Sequence, residues 1–594
     1  MLCPATQWQA VADRPTPSMQ HFKCHRTQGT ISCYRRKENL RMRFSVALTQ
    51  PRRSTLLVSI FLCGAVSLPA QQKALSVRDA DAVCAKCHLN IYKHYLETPM
   101  ANASGEARDK LIPGTFSEPA SATAYRVFNE DGAAWLSYSD QHFPSQSGRR
   151  QLEYSLGSGH LGVTYLYSIN RYLLESPVAY YAGIGGYDMK PGLSGRGDIP
   201  PALPMGAGCL RCHMSGVQPS DQGTVSHFTG LPFLQTGITC ESCHGDASRH
   251  IQTAGKISVV NPKTLAPQLR DSVCISCHLE GDISVEKPGR SAISFKPGES
   301  ISDYVSFFVF SKANSSARGV SEVEQLNASV CKQTSSDKMS CMSCHDPHLT
   351  PSRAKSAGFY RVKCLACHNA PEFAASHHPE NPDCVSCHMP RSSAANIPHV
   401  AWADHRILRK PGHSLDDSTG VPREELVSAV PQSFTDRELA LAYFQAATIK
   451  GVTADRDKAS LMLTKLSEDH KDDVEILGAL ALLARLKGDM PSAKYFFGEV
   501  IERDPTNIVA SSNLGILRAT SGDLKGALSI LKPTFDRNQN LLEAALNLTA
   551  VQCLLGDAEG ARITLTTALM YSPGSRELNI RLQQLSSCSG IQQR

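Results

Sequence analysis

The sequence predicts a multidomain fold: a region rich in cysteine and histidine with short helices, a small β-rich insertion within that region, and a C-terminal all-α repeat solenoid. Three observations predict it. The pattern Cys-x-x-Cys-His occurs seven times between residues 84 and 388. Short apolar segments separated by glycine-rich turns occupy the stretch between the first two copies. A 34-residue period recurs after residue 437.

Composition limits the class of protein before any motif is considered. The chain has 594 residues, which is too long for one hydrophobic core and predicts two to four domains. Its hydrophobic content of 41% and charged content of 20% are ordinary for a globular protein. The net charge of +6 is mild and no run of Lys and Arg is present, so nucleic-acid binding is not expected.

The N-terminal residues 1–70 are predicted to be an upstream extension followed by a signal peptide. An arginine pair at 52 and 53 precedes an apolar run from 55 to 66, and the next four residues resemble a cleavage site that ends at Ala70. The run is short for a bilayer span, which makes a retained anchor the weaker alternative. We therefore expect export to the periplasm, cleavage near Ala70 and no membrane span afterwards. Translation from Met42 is an alternative start.

The seven Cys-x-x-Cys-His motifs, numbered 1 to 7 in chain order, predict covalent haem attachment. Two thiols one helical turn apart can each add to a vinyl group of haem, and the histidine that follows can ligate its iron. We therefore expect seven c-type haems, with fourteen thioether cysteines and seven proximal histidines. The motifs are Cys84/Cys87/His88, Cys209/Cys212/His213, Cys240/Cys243/His244, Cys274/Cys277/His278, Cys341/Cys344/His345, Cys364/Cys367/His368 and Cys384/Cys387/His388.

Other uses of paired cysteines fit the pattern less well. Zinc sites group four ligands and do not require a histidine directly after the second cysteine. A thioredoxin-like motif occurs singly within a βαβ unit, and structural disulfides would not explain seven adjacent histidines. After signal removal, Cys331, Cys553 and Cys588 remain outside the motifs. Because three is an odd number, we expect at least one free thiol or a bond between chains.

A haem iron that only carries electrons usually has a second His or Met opposite the proximal histidine. Ten further histidines between residues 84 and 405 are enough for seven irons. For each of them, a surface or core histidine is the alternative. The candidate distal ligands are Met100, His160, His250, His348, His378, His399 and His405.

The first haem is expected to have the least conventional ligands. Met100 competes with His94 for its iron, and Pro99 breaks any helix that continues from motif 1. The longer loop favours Met100. Thioether ligation raises the potential of a haem relative to two imidazoles, so this haem is predicted to have the highest potential.

The spacing of the motifs predicts how the chain is organised. Six motifs lie between residues 209 and 388, so porphyrin is expected to replace much of the usual apolar core. Two segments around Asn129-Glu-Asp-Gly read as a β-hairpin in the insertion. The predicted regions are 71–208 for the first haem with the β-rich segment, 209–405 for the six-haem domain, 406–436 for a linker and 437–594 for the repeats.

The C-terminal repeat has the period of tetratricopeptide helix pairs. The dipeptide Gly-Asp recurs at residues 488, 522 and 556, with a small alanine five residues after each glycine. Ala459 fits one period earlier and predicts a degenerate fourth unit. Such a solenoid offers one concave groove, so we expect it to dock a redox partner protein. A domain that only braces the cytochrome or dimerises it is the alternative.

Several longer segments extend the comparison beyond the motifs. They are Tyr154-Ser-Leu-Gly-Ser-Gly, Ser176-Pro-Val-Ala-Tyr-Tyr, Ile238-Thr-Cys-Glu-Ser-Cys-His-Gly, Ser340-Cys-Met-Ser-Cys-His-Asp-Pro-His, Cys387-His-Met-Pro and Asp404-His-Arg-Ile. On these residues the chain resembles tetratricopeptide-containing multihaem c-type cytochromes related to the cytochrome c-554 and doubled-CxxCH families, over most of 78–573. The resemblance implies periplasmic electron transfer and a distal role for His405. Relatives of the cytochrome c-554 type often have a histidine where Met100 stands.

The function expected from the sequence is electron transfer between redox partner proteins. The main alternative is a multihaem oxidoreductase that acts on a small nitrogen or sulfur compound at one open haem, with motif 1 as the first candidate. A third possibility makes the repeats an assembly scaffold. An iron without a distal ligand would discriminate the enzyme from the carrier.

Overall fold

The structure is a computed structural model that describes residues 73–141, 147–311, 318–377, 383–409, 425–449 and 451–588. The predicted signal segment and His378 lie outside these residues. Within them, no helix has both the length and the apolar composition needed to cross a membrane. The described residues from Lys73 onward belong to one compact unit.

Nineteen strands are described, and most lie before motif 2. They form five groups, in the orders β1-β14-β13, β11-β10-β8-β7-β2 with β9 attached to β8 and β12 to β9, β3-β4-β5-β6, β15-β16-β19 and β17-β18. The strands are β1 Leu75–Ser76, β2 Ser104–Glu106, β3 Gly114–Glu118, β4 Thr123–Glu130, β5 Ala133–Asp140, β6 Gly148–Leu152, β7 Tyr154–Leu156, β8 Gly162–Ile169, β9 Tyr172–Glu175, β10 Val178–Tyr181, β11 Gly186–Met189, β12 Leu203–Pro204, β13 Met214–Ser215, β14 Gln235–Thr236, β15 Ile283–Glu286, β16 Val305–Phe310, β17 Arg391–Ser393, β18 Ala401–Ala403 and β19 Leu426–Ser428.

The β-rich insertion predicted from the sequence is confirmed. Strands β4 and β5 pair from Glu130↔Ala133 outward, and the two residues between them, Asp131 and Gly132, both have positive φ. This is the two-residue turn that matches the twist of a hairpin. Apolar residues of this sheet and of the seven-stranded group share one core, in which Leu136 and Tyr165 are buried.

A buried ion pair lies at the centre of the seven-stranded group. Glu175 ends β9, and its carboxylate pairs with the ammonium of Lys190, which follows β11. The Lys190 side chain is 0% exposed and that of Glu175 is 4% exposed. Burial of two charges is costly unless they are paired, so each residue depends on the other.

Twelve short helices carry or flank the motifs. They are α1 Val77–Ala80, α2 Ala82–Tyr95, α3 Ala207–Leu210, α4 Glu241–His244, α5 Ser248–Gln252, α6 Pro267–His278, α7 Glu322–Ala328, α8 Val330–Ser335, α9 Cys341–Cys344, α10 Arg353–Leu365, α11 Pro371–Ser376 and α12 Cys384–His388. Only three of them exceed eight residues. The short helices predicted around the motifs are therefore present, whereas haem packing stays a prediction.

The C-terminal region is all-helical, as predicted. Four antiparallel pairs, α13·α14 to α19·α20, are followed by one further helix. The helices are α13 Asp436–Thr448, α14 Asp455–Asp469, α15 Val474–Lys487, α16 Met490–Arg503, α17 Ile508–Thr520, α18 Leu524–Arg537, α19 Leu542–Leu554, α20 Ala558–Tyr571 and α21 Arg576–Gln583. The predicted degenerate unit is the α13·α14 pair.

The repeated Gly-Asp dipeptide makes the turn within three of these pairs. Gly488 ends α15 in the left-handed conformation, with φ of 83°, which glycine adopts without steric cost. Asp489 then caps α16, because its side chain accepts a hydrogen bond from the backbone N–H of Ser492. Asp523 and Asp557 cap α18 and α20 in the same way.

The first helix pair is continuous with the region that carries the motifs. Ile283, Phe308 and Leu426 from the β15-β16-β19 sheet share one apolar core with Ala442 and Tyr443 of α13. Strand β19 lies within the segment predicted as a linker, so the described part of that segment completes a sheet.

The later repeats contact the β-rich insertion, and the segment that follows motif 2, through the turns between pairs. Tyr172 donates a hydrogen bond to the carbonyl of Arg537 at 2.7 Å, and Asn538 donates to the carbonyl of Gly223 at 2.8 Å. Tyr571 belongs to the apolar core of the insertion. The solenoid is therefore fixed to the rest of the chain at both ends.

The cysteines outside the motifs divide unequally. Cys553 of α19 forms a disulfide with Cys588, across 35 positions of sequence. Cys331 is a half-buried free thiol in α8. Of the three cysteines outside the motifs, Cys331 is therefore the free thiol, in agreement with the expectation of at least one.

Candidate functional site

The motifs occupy single helical turns or the last turn of a longer helix. Motif 4 ends α6, motif 6 begins in the last turn of α10, and motifs 3, 5 and 7 lie at the one-turn helices α4, α9 and α12. Residues three apart on a helix lie on the same face, so the two thiols of each motif can reach one group. In motif 1, His88 leaves the helical conformation within α2, with φ of −113° and ψ of 39°.

Motifs 2 to 7 line one continuous cavity of about 3580 Å³. This volume is several times the roughly 300–1,000 Å³ of a site for one small molecule. Beyond the motif residues, Met100, His160, His377 and His405 also line it. Apart from Cys209, which is disulfide-bonded, the motif cysteines are free thiols. The donor set and the volume fit several large cofactors bound side by side.

Motif 1 is set apart from this cavity. Cys87, predicted to form a thioether, is an exposed thiol. None of the three motif residues Cys84, Cys87 and His88 lines the cavity. The physical reason is the packing of α2, which is buried only near its two ends, at Asp81 and Tyr95, so that a side chain in its middle meets solvent. The structure therefore does not place Cys87 with the other attachment residues, and a thioether there stays a prediction from the motif alone.

Four of the motif histidines face a second histidine. The ring centres are 6.2 Å apart for His88 and His250, 6.0 Å for His244 and His348, 6.3 Å for His345 and His405, and 5.9 Å for His388 and His377. The ring planes in each pair lie within 28° of parallel. Imidazoles on opposite sides of one metal ion, each with a metal–nitrogen distance of about 2 Å, have ring centres about 6 Å apart. The common separation therefore fits two axial ligands.

Hydrogen bonds leave the Nε2 atoms of these rings available for a metal. The Nδ1 atoms of five histidines lie 2.6–3.2 Å from a backbone carbonyl, namely His213 with Ala103, His244 with Val260, His250 with Ile257, His388 with Leu408 and His405 with Ala403. A carbonyl can only accept, so Nδ1 carries the proton and the Nε2 lone pair is free. This arrangement is typical of histidine ligands.

Burial favours the neutral form that metal ligation requires. It lowers the pKa of His213 to about 3 and that of His345 to about 4. Burial also lowers the pKa of His348. A neutral imidazole is the ligating species, so these rings need not lose a proton to bind iron near neutral pH.

The other predicted distal ligands are placed differently. The Nε2 atom of His399 lies 2.6 Å from the carboxylate of Asp188, so that nitrogen is already engaged. Met100 and His160 both line the large cavity. His94 is exposed near the end of α2. His378 lies outside the described residues.

His377 is the ligand candidate that the sequence did not single out. It follows α11 and faces His388, whereas sequence reasoning chose the adjacent His378. In a His-His dipeptide, spacing from the motif hardly distinguishes the two residues. Only the direction in which the chain leaves α11 does so.

Thiols of different motifs lie in contact. The hydrogen-bonded pairs are Cys84 with Cys240, Cys212 with Cys277, Cys274 with Cys341 and Cys364 with Cys384. The hydrogen bond from Cys212 lowers the pKa of Cys277 to about 6, and burial raises that of Cys243 to about 12. Asp81 accepts from the backbone N–H of Cys240 at 3.0 Å, and its carboxylate lies with the thiols of Cys84 and Cys240 within 4.8 Å.

One family of known proteins matches this part of the chain. Residues 199–245 match the model described as cytochrome c554 and c-prime. The segment is similar to a cytochrome c. It contains motifs 2 and 3, and the match implies c-type haem there. No curated protein matches the chain.

Solved structures of tetratricopeptide proteins match the C-terminal region. A Parabacteroides merdae protein is 15% identical, with 25% of this chain and 58% of that chain covered and a TM-score of 0.22. YrrB, a protein with an unusual peptide-binding site, is 17% identical over 25% of this chain and 76% of its own, with a TM-score of 0.23. A tetratricopeptide protein of Thermus thermophilus is 20% identical, with 25% of this chain and 81% of that chain covered and a TM-score of 0.21. Scores this low carry no argument about function.

Proposed function

We propose that this chain is an exported multihaem c-type cytochrome that transfers electrons between redox proteins. The observation that carries the proposal is the set of four histidine pairs, each with a motif histidine on one side and a second imidazole about 6 Å away. Two strong axial ligands leave an iron without a free position, which suits a carrier rather than a catalyst.

Within this proposal, the chain's own residues hold seven haems and fix their ligands. When bound, c-type haem supplies one-electron redox chemistry. His250, His348, His405 and His377 are the distal ligands at sites 1, 3, 5 and 7. His250 takes the place expected for Met100, which removes the reason to assign site 1 the highest potential. Attachment at site 2 requires Cys209 to be a free thiol in the mature protein.

The seven haems and export are tested together by intact mass. We expect the purified protein, unfolded but not reduced, to have the mass of a chain that begins near Gln71 with seven covalent haems, because each motif supplies two thioethers. The mass of the bare polypeptide, or zinc in place of iron, would contradict the proposal.

The ligand assignment is tested at site 3 with a matched control. His348→Ala removes the imidazole opposite His244, so we expect one iron per chain to change from low-spin to high-spin. Electron paramagnetic resonance and the optical spectrum measure this change. His399→Ala removes a histidine of the same region that pairs with Asp188, and it is expected to leave every iron low-spin. Equal spectra for the two variants would rule out the assignment.

An enzyme that acts on a small nitrogen or sulfur compound is the second candidate function. It is favoured by one observation: among the described residues no second histidine faces His213, His278 or His368, and all three line the large cavity. The high-spin fraction of the wild-type protein separates the two functions. A high-spin iron at site 2, 4 or 6 that binds cyanide would favour the enzyme, whereas low-spin irons at all three sites would favour the carrier.

A further inference from the structure

The order of the motifs in space differs from their order along the chain. We infer that sites 1, 3, 5, 4 and 2 adjoin in that order, and that sites 6 and 7 form a separate pair. The inference rests on the proposed haem function and specifies which haems exchange electrons directly. Two kinds of observation support it. Thiols of different motifs are in contact, and histidines only a few residues apart in sequence face different sites.

The thiol contacts define most of the series. A thioether sulfur is bonded at the edge of its haem, so sulfur atoms in contact bring two haem edges together. Cys84 contacts Cys240, which joins site 1 to site 3 across about half of the motif region. Cys274 contacts Cys341, and Cys364 contacts Cys384, which joins site 4 to site 5 and site 6 to site 7.

Site 4 lies between sites 5 and 2, because its two cysteines contact different neighbours. Cys274 faces site 5, whereas Cys277 contacts Cys212 of site 2, and its sulfur lies 3.8 Å from the carbonyl of Arg211. The guanidinium of Arg211 also donates to the carbonyl of Ser276.

The histidines near motifs 3 and 5 give two neighbours for site 3. His244 binds as the proximal ligand of site 3, and His250, only six residues later, faces His88 of site 1. His345 belongs to site 5, and His348, three residues later, faces His244 of site 3. Segments this short cannot serve two distant irons. They therefore hold site 3 close to sites 1 and 5.

A redox double-variant cycle on the holoprotein tests the series in solution. His250→Met, His348→Met and His405→Met each place a thioether at site 1, 3 or 5, and each is expected to raise one midpoint potential. In the double variant at sites 1 and 3, the two raised potentials should differ from the sum of the single shifts, because reduction of one haem adds charge beside the other. The double variant at sites 1 and 5 is the control and should be closer to additive.

The possible failures are distinguishable. Single variants that shift no midpoint potential would contradict the ligand assignment. The order of the sites would then be tested by the iron positions described below. Coupling between sites 1 and 5 that equals or exceeds that between sites 1 and 3 would overturn the series.

The second measurement needs no variant. Anomalous scattering from iron in crystals of the wild-type holoprotein gives the seven iron positions directly. We expect iron 1 to be nearer to iron 3 than to iron 2, and iron 2 to be nearest to iron 4. A map in which iron 2 lies between irons 1 and 3 would contradict the inference.

Discussion

A chain that ends at residue 436 is expected to lose folded structure well beyond the helices that are removed. Helix α13 covers Phe308 and Phe310 of β16, which are 0% and 3% exposed in the whole protein. Exposure of each such side chain costs about 1.5–3 kcal/mol, and several residues of β15 and β19 are uncovered with them. The expected result is an insoluble or molten protein that binds hydrophobic dyes and loses haem from sites near β15.

A shorter truncation is the matched control. A chain that ends at residue 575 lacks α21 and Cys588 but retains Tyr571, which packs in the core of the β-rich insertion. We expect this chain to keep its haem spectra. A soluble chain ending at 436 with native spectra would show that the solenoid is a detachable docking module and would remove the bracing role.

Replacement of Glu175 by alanine is expected to destabilise the protein by about 3–5 kcal/mol, because it leaves the ammonium of Lys190 buried without a counter-charge. The midpoint of urea unfolding, followed by circular dichroism, measures the loss. Because the pair lies inside the seven-stranded group, the whole insertion should unfold at lower urea concentration.

Two further variants separate the buried charge from a general effect of losing a carboxylate. Glu130→Ala removes the partner of Arg149 at the surface, where both side chains are about half exposed, and should cost at most about 1 kcal/mol. The double variant Glu175→Leu, Lys190→Met should recover most of the stability lost by Glu175→Ala. Equal losses for Glu130→Ala and Glu175→Ala would contradict the expectation.

Local patterns in the sequence predicted local structure well. Asp131-Gly132 marked a tight hairpin, and the Gly-Asp dipeptides marked the turns within helix pairs, because each depends on the backbone freedom or capping of one or two residues. The small alanines that fit the period, such as Ala493, Ala527 and Ala561, are all fully buried.

Long-range pairing was beyond the sequence patterns. Spacing along the chain favours Met100 at site 1, because it reflects only the loop that follows motif 1. Strand β1 pairs instead with β14, Leu75 against Gln235, and so brings His250 opposite His88 from more than 150 residues away. The contacts of β19 and Tyr571 were missed for the same reason, since their partners are far away in sequence.

The position of Tyr571 in the core of the insertion has a consequence for synthesis. The first β-rich sheets are translated hundreds of residues before this tyrosine, yet their shared core is incomplete without it. Domains usually fold in the order in which they emerge, at about 5–20 residues per second. Here the core of the insertion stays incomplete until almost the whole chain has emerged. The motifs between the insertion and Tyr571 therefore pass through a period in which the polypeptide around them is not fully folded. We expect haem attachment to fall in that interval, before the last repeat completes the core.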